Sequence, residues 1–232
     1  MEQLHNGFTL DIAPGAFPLS TDSVALSGFV RLPRNARVLD LGAGCGTLGV
    51  LLCAKDPSCT VTGLELTEDA HSFALKNARD NGIEHRLNSI CTDLRVLPPE
   101  ITPGSFDCVV SNPPYFTGGP ESATLPLARK AFACSMAELM HAAAKALKYG
   151  GDFFLVHRPE QLSELCACAA RENLAPKRLC LLRHKRSSPV TLIMVSCRKG
   201  GKPGLLWEEV YLQEEDGSPS QYYRALYHLQ EA

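Results

Sequence analysis

The sequence of 232 residues lacks long apolar runs and closely paired cysteines, and each absence excludes a class of protein. No apolar stretch approaches the roughly 20 residues that a membrane-spanning helix needs. The opening "MEQLHNGFTLDIAPG" lacks the basic segment and apolar run of a secretory signal peptide. Ten cysteines are present without a C-x-x-C pair, so neither a zinc site nor a redox pair is indicated. We expect a cytoplasmic protein with reduced thiols and without a bound metal.

A strong excess of charge of one sign is also missing. The formal net charge is −2, which does not indicate a nucleic-acid-binding protein. The distribution is uneven, because residues 177–202 contain eight lysines and arginines and no acidic residue, which leaves −10 for the remainder. Such a patch can bind phosphates, for which Lys185 and Arg186 within it are candidates. The alternative is an ordinary solvated hairpin.

Short apolar runs alternate with helical patterns from residue 37 onward. This alternation predicts an α/β fold with a doubly wound, mostly parallel sheet of seven strands and helices on both faces. The last two strands are joined too tightly for a crossover, so they form a C-terminal antiparallel hairpin. We expect one domain with an N-terminal cap segment (1–35), a core (36–200) and a C-terminal extension (201–232). The predicted strands are 37–41, 60–64, 88–91, 106–110, 152–156, 177–182 and 190–197, and the predicted core helices are 47–55, 68–81, 130–148 and 160–171.

The segment "VLDLGAGCGTLG" places a glycine-rich turn between the first core strand and the first core helix. Gly42, Gly44 and Gly46 would let a ligand approach the backbone N–H groups at a helix N-terminus. The same glycines match the dinucleotide fingerprint G-x-G-x-x-G, which is the main alternative. Asp40 favours a different ligand, because a carboxylate beside this turn would repel a pyrophosphate and attract a cation. The sequence therefore predicts S-adenosylmethionine, which is cationic at its sulfonium and amino groups.

Acidic side chains end three successive predicted strands, at Asp40, Glu65 and Asp93. The carboxyl ends of parallel strands form the ligand-binding edge of an open α/β sheet. Glu65 is placed to accept hydrogen bonds from both ribose hydroxyls, and Asp93 from the adenine amine. Each acid alone could be a surface residue, but the three together indicate the cofactor site.

The fourth core strand ends in "SNPPYF", where Pro113 stops the sheet because proline gives no ladder hydrogen bond. An exocyclic amine on an aromatic base is a poor nucleophile, since its lone pair is delocalised into the ring. The Asn112 side-chain carbonyl and the Pro113 backbone carbonyl can accept from such an amine and hold it in line, with Pro114 keeping the turn rigid. Tyr115 can stack on the target base. The alternative is a plain Asn-Pro-Pro turn with a packed tyrosine.

The motifs "DLGAGCG", "LE" at 64–65, the aspartate at 93 and "SNPPYF" resemble those of class I S-adenosylmethionine-dependent methyltransferases of the Asn-Pro-Pro-Tyr group. The segments at 17–30, 153–162 and 199–205 are similar to the bacterial tRNA-Val adenine-N6 methyltransferases, which modify the purine next to the anticodon. The resemblance implies a tRNA partner and a target-amine site at Asn112–Tyr115. It also implies that the cofactor is surrounded by Asp40, Gly42, Glu65, Asp93 and Asn112.

Further residues have a weaker assignment. Thr21 and Asp22 match the Thr-Asp of that family and could close over the methionine end of the cofactor, although they also fit a helix start. Phe116 joins Tyr115 at the predicted base site. Arg129 and Arg158 could contact phosphate or could be ordinary surface charges.

Three other functions remain open at this point. The same Asn-Pro-Pro-Tyr chemistry methylates glutamine amides in translation factors, but the chain before Asp40 is too short for the helical domain of those enzymes. Guanine-N2 methylation of ribosomal RNA is a further alternative. A non-catalytic RNA-binding module is a third, although it would have no need for a rigid amide beside a sulfonium. The long segment 112–128 is expected to be a functional loop.

Overall fold

The computed structural model of the chain describes residues 2–4, 7–114 and 134–228. Its strands and helices, numbered in chain order, are β1 (Glu2–Gln3), β2 (Thr9–Leu10), α1 (Thr21–Phe29), β3 (Arg37–Leu41), α2 (Thr47–Lys55), β4 (Thr60–Glu65), α3 (Glu68–Asp80), β5 (Leu87–Cys91), β6 (Phe106–Ser111), α4 (Met136–Ala146), β7 (Leu147–His157), α5 (Leu162–Arg171), β8 (Leu174–Lys185), β9 (Val190–Lys199), β10 (Leu206–Gln213) and α6 (Gln221–Tyr227). The predicted loop beyond Pro114 and the first part of the predicted helix 130–148 lie outside the described residues.

The central sheet has eight strands in the order β10-β8-β9-β7-β6-β3-β4-β5. Only β9 runs antiparallel to its neighbours in this sheet. The α/β fold class and the C-terminal hairpin are confirmed, but the predicted count of seven strands is wrong. The missed strand is β10, which pairs with β8 in parallel at the edge of the sheet. None of its residues is fully buried, and Glu208 and Glu209 are adjacent. The segment therefore lacks the alternation of apolar and polar residues by which a strand is recognised.

The chain reverses its direction of winding between β3 and β6. β3 pairs with β4 on one side and with β6 on the other, and all three strands are parallel. Asp40 on β3 lies opposite Val110 on β6, two residues before Asn112. Open α/β sheets bind their ligands at such a switch point, outside the carboxyl ends of the strands.

Two apolar layers cover the two faces of the sheet. One contains Leu26, Leu52 and Val38, and the other contains Leu39, Met140 and Leu165, all almost fully buried. Burial of such side chains supplies the main favourable free energy of folding. Among the described helices, none has the length and apolar character of a membrane span.

Helix α1 is held from two sides at its C-terminal end. Lys55 Nζ on α2 donates to the carbonyl oxygens of Ser27 at 2.8 Å and Val30 at 2.9 Å. The Arg178 guanidinium on β8 lies 4.2 Å from the centroid of the Phe29 ring and donates to the Phe29 carbonyl at 3.1 Å. These contacts satisfy carbonyls that a helix end leaves without partners, and they fix the helix against the sheet.

The sequence predicts both ends of α3, but the side chain of the predicted N-cap residue does not cap the helix. Glu68 and Asp69 occupy the first turn, and Asn81 and Gly82 end the helix as the sequence predicts. Thr67 is the N-cap residue by position, but its side chain makes no capping hydrogen bond. Its hydroxyl has another partner, which belongs to the site described below.

Candidate active site

The glycine turn between β3 and α2 has the backbone that its sequence predicts. Gly42, Gly44 and Gly46 have φ values of 75°, 57° and 78°, a region that residues with a Cβ rarely adopt. The turn is tied to the end of β4, because the N–H groups of Gly42 and Ala43 both donate to Leu64 at 3.0 Å. A Cβ at Gly63 would lie 2.7 Å from Ala43 Cβ, so β4 approaches the turn closely only because residue 63 is glycine.

Asp40 is a buried acid near the end of β3. Its side chain is 1% exposed, and among the described residues nothing hydrogen-bonds to either carboxylate oxygen. Burial, together with the nearby charge of Glu65, raises the pKa of Asp40 to about 8. At neutral pH the side chain is therefore mostly protonated, and a neighbouring positive charge would favour its ionised form. A ligand with a positive charge fits this site, and a pyrophosphate does not.

Glu65 is fixed at the end of β4 by three hydrogen bonds. Its Oε2 accepts from the Gly44 N–H at 2.8 Å, while Oε1 accepts from the Thr67 N–H at 2.9 Å and the Thr67 hydroxyl at 2.8 Å. The carboxylate therefore already occupies one of the turn's N–H groups that a dinucleotide phosphate would need. Oε1 already accepts two hydrogen bonds and Oε2 one, so Oε2 keeps a lone pair with which Glu65 can accept from a ribose hydroxyl.

Asp93 follows β5 and is paired with Arg95. The Arg95 Nε lies 3.0 Å from Oδ1 and 2.9 Å from Oδ2 of Asp93, and this bond lowers the pKa of the Asp93 carboxyl. Asp93 is therefore ionised and oriented. Its bond to the adenine amine stays a prediction, since that amine would share the carboxylate with Arg95.

Asn112 lies directly after β6 and contacts α1. Its Nδ2 donates to Ser23 Oγ at 2.9 Å. Next to it, the fully buried Ser111 donates its hydroxyl to the Leu41 carbonyl at 2.8 Å, which joins the ends of β6 and β3. Pro113 is buried and Pro114 is partly buried. The structure thus brings the Asn-Pro-Pro turn to the same edge of the sheet as Asp40.

Thr21 and Asp22 open α1, directly before the serine that Asn112 contacts. Ser20 caps this helix, with its hydroxyl accepting from the Ser23 N–H at 3.4 Å. The helix start and the Asn-Pro-Pro turn are therefore neighbours. The role of Thr21 and Asp22 in covering the cofactor stays a prediction, as do the cofactor contacts of the other predicted residues.

Arg158 follows β7 and reaches toward β9. Its Nη1 donates to the Thr191 carbonyl at 3.3 Å, and its backbone N–H donates to Nδ1 of the buried His157 at 2.9 Å. Arg158 is exposed at the carboxyl edge of the sheet, and its contact with a phosphate stays a prediction. Tyr115, Phe116 and Arg129, the other predicted substrate residues of this region, lie outside the described residues.

Residues 177–202 form β8, β9 and their connection, and many of their charges have acidic partners. Three ion pairs involve this segment: Arg178 with Glu208 at 3.0 Å, Arg183 with Glu209 at 3.2 Å and Arg198 with Asp152 at 2.7 Å. Two of the three acids lie on the unpredicted strand β10. These ion pairs offset three of the eight positive charges of the segment.

Lys185 and Arg186 lie at the turn between β8 and β9, at the carboxyl edge. Lys185 Nζ donates to the Glu215 carbonyl at 3.0 Å. Hydrogen bonds from Ser187, aided by the charges of Lys185 and Arg186, lower the pKa of the Glu215 carboxyl. RNA binding by Lys185 and Arg186 stays a prediction. The sequence did not indicate that Glu215 lies beside them.

Sequence reasoning missed four residues that hold the predicted ones in place: Ser23, Thr67, Arg95 and Ser111. The spacing Asp93-x-Arg95 and the pair Glu65 and Thr67 are local signals that could have been read. The contact between Ser23 and Asn112 spans 89 residues and leaves no local pattern. Among the described residues, no group of three or more His, Cys, Asp and Glu side chains could hold a metal ion.

Comparisons with solved structures agree with this fold. A protein from Agrobacterium tumefaciens described as "a predicted O-methyltransferase" gives a TM-score of 0.75 at 20% identity, covering 90% of this chain and 96% of its own. A geranyl diphosphate C-methyltransferase from Streptomyces coelicolor A3(2), solved with S-adenosyl-L-homocysteine, gives 0.58 at 13% identity, covering 76% and 79%. At these identities the likeness concerns the fold.

Sequence relatives are more similar. A protein of Shewanella halifaxensis named tRNA1(Val) (adenine(37)-N6)-methyltransferase is 32% identical over 75% of this chain and 70% of its own. A protein of Tolumonas auensis with the same name is 29% identical over 94% and 92%. The family described as "Methyltransferase small domain" matches residues 22–166. The expectation of an S-adenosylmethionine-dependent methyltransferase is confirmed. The chain therefore belongs to the methyltransferase small domain family.

Proposed function

We propose that this chain acts in the cytoplasm as a single methyltransferase domain, on the exocyclic N6 amine of an adenine next to the anticodon of a valine tRNA. The observation that carries the proposal is the position of the Asn-Pro-Pro turn. The turn contacts α1 and follows β6, the strand that pairs with β3 beside Asp40 at the switch point of the sheet. Relatives named tRNA1(Val) (adenine(37)-N6)-methyltransferase support the choice of acceptor.

The cofactor fits the residues that are present. S-adenosylmethionine, when bound, supplies an activated methyl group on a positively charged sulfur. Asp40 would balance the positive charge of the cofactor, because it is a buried acid without a partner among the described residues. Glu65 and Asp93 would hold the ribose and the adenine. The glycine turn gives the backbone room to approach the cofactor.

The Asn-Pro-Pro turn prepares the acceptor amine. The Asn112 side-chain carbonyl and the Pro113 backbone carbonyl accept its two N–H bonds and aim its lone pair toward the methyl group. This geometry favours localisation of the lone pair on nitrogen, which the ring otherwise delocalises. After transfer the amine releases one proton, and no side chain has to remove it beforehand. Tyr115 would stack on the flipped base.

The experiment supplies radiolabelled S-adenosylmethionine together with a transcript of the valine tRNA. A matched transcript in which adenine 37 is replaced by guanine is the control. We expect label as N6-methyladenosine in the first transcript and none in the second. Label in both transcripts would contradict the proposed position.

A second arm offers total tRNA and, separately, a translation release factor. Label on another tRNA would keep the chemistry and correct the substrate. Label on a glutamine of the release factor would replace the proposal by methylation of a protein amide.

A further inference from the structure

The orientation of the Asn112 amide decides what the site presents to an amine. The oxygen and nitrogen of a carboxamide are almost equal in size, so packing alone does not distinguish the two orientations. A carbonyl facing the acceptor amine accepts a hydrogen bond from its N–H group, whereas an NH2 group in that place would bring two donors together. Only a hydrogen-bond partner of defined polarity can select the useful orientation.

Ser23 hydrogen-bonds to this amide, and it selects the useful orientation when its own hydroxyl hydrogen is directed to another acceptor. It belongs to the first turn of α1, is 6% exposed, and its oxygen lies 2.9 Å from Asn112 Nδ2. Ser23 Oγ also lies 3.5 Å from Ser20 Oγ, the N-cap oxygen of the same helix. The Ser23 hydroxyl hydrogen can point to Ser20, which leaves a lone pair of Ser23 for the amide NH2 group.

The position of Ser23 is set by the anchoring of α1. The C-terminal end of the helix is held by Lys55 on one side and by Arg178 on the other. The buried face of the helix includes Val24 and Leu26. The hydroxyl therefore stands on a rigid element, which is what the precise orientation of a reactive group requires.

We propose that Ser23 is a positioning residue for methyl transfer, which fixes the Asn112 amide with its carbonyl toward the acceptor amine. The identity of the acceptor rests on the proposed function, but the hydrogen bond does not. Ser23 touches neither reactant in this proposal and acts through Asn112. It should therefore affect kcat much more than the affinity for the cofactor.

The test compares Ser23→Ala with Ser23→Thr, which keeps the hydroxyl, and with Ser27→Ala. Ser27 is a matched control, because it is a buried serine one turn further along α1 whose hydroxyl donates to Val24 at 2.7 Å. The first readout is the ¹⁵N–¹H signal of the Asn112 side-chain amide, assigned by its loss in Asn112→Ala. The second readout is the kinetics of methyl transfer to tRNA.

In Ser23→Ala we expect the Asn112 amide signal to shift and its hydrogen exchange to accelerate. We expect kcat to fall about tenfold with the KM for S-adenosylmethionine within about twofold of the wild type. Ser23→Thr should recover most of kcat, and Ser27→Ala should change neither readout.

An unchanged amide signal in Ser23→Ala, or an equal loss of kcat in Ser27→Ala, would overturn the role of Ser23. If the wild-type protein methylated no RNA, the proposed function would fail. The Asn112 amide signal in Ser23→Ala would then still show whether Ser23 fixes the Asn112 side chain.

Discussion

The parallel strands β3 to β7 contain a buried acid, Asp40, whereas β8 and β10 are joined by exposed ion pairs. In the parallel half, Asp40 is buried and has no hydrogen-bond partner among the described residues. In the half formed by β8, β9 and β10, exposed charges are paired, as in Arg178 with Glu208 and Arg183 with Glu209. Ionising a buried acid without a partner is costly, so Asp40 favours a cationic ligand, whereas an exposed ion pair contributes little to stability.

The density of basic residues in the sequence draws attention to residues 177–202, whereas the structure draws attention to Asp40. Residues 177–202 are the most basic part of the chain, yet Arg178 is engaged in holding α1 and three of the arginines have carboxylate partners. Asp40 is a single residue in an apolar strand, yet we expect it to have the largest consequence for cofactor binding. A buried polar group without a hydrogen-bond partner among the described residues is here a better guide to the site than a high local density of charge.

The largest effect is expected from Asn112→Ala, which removes the acceptor of the amine hydrogen bond. We expect kcat for tRNA methylation to fall about 1000-fold, because the interaction acts on the reacting nitrogen. The affinity for S-adenosylmethionine should stay within about threefold, as measured by calorimetry. Unchanged turnover would show that the Asn-Pro-Pro turn is structural, and the parallel half would lose its role in the chemistry.

A smaller effect is expected from Asp40→Asn. We expect the affinity for S-adenosylmethionine to fall about 100-fold, since a buried charge partner of the cofactor is lost. The raised pKa of Asp40 also means that the native protein binds a proton more tightly than the unfolded chain does. The free energy of unfolding of the ligand-free wild type should therefore fall as the pH rises from about 4 to about 8.

Denaturant unfolding at several pH values checks the second part of this prediction. The decrease should be smaller in Asp40→Asn, in which residue 40 no longer titrates. Equal slopes in the two proteins would mean that Asp40 is not the group responsible.

The smallest effect is expected from the double charge reversal Lys185→Glu with Arg186→Glu. Because Glu215 already lies beside these residues, we expect the affinity for tRNA to fall only about tenfold and its salt dependence to become shallower. The control is Lys145→Glu with Arg171→Glu, an equal change in charge at the opposite edge of the sheet. Equal losses in the two double variants would indicate a general effect of net charge, and the hairpin turn would lose its role.

The parallel half of the fold was predictable because its signals are local. The glycines of the turn, the acids at strand ends and the prolines after β6 each lie beside the strand that they end, so parallel pairing brings them to one edge. The part of the sheet formed by β8, β9 and β10 was less predictable, since two acids that pair with arginines of β8 lie on β10. That strand has Trp207 67% exposed and two adjacent glutamates, a pattern that does not alternate.

The residues that orient the site were not predictable for a different reason. Ser23 meets Asn112 only after α1 has packed against the sheet, and nothing in either segment specifies the other. The same holds for Ser111, whose buried hydroxyl bonds to the end of β3. Such contacts depend on tertiary structure, whereas the Asn-Pro-Pro motif that they support is visible in the sequence.

The central claim is that Asp40 is the buried acid that a cationic cofactor needs, and proton release tests it most directly. Because the pKa of Asp40 is about 8 without ligand, most of the wild-type protein carries a proton there at pH 7. Titration calorimetry with S-adenosylmethionine at pH 7, in two buffers of different ionisation enthalpy, counts the protons released on binding. We predict the release of nearly one proton by the wild type and almost none by Asp40→Asn. Binding to the wild type without proton release would contradict the account.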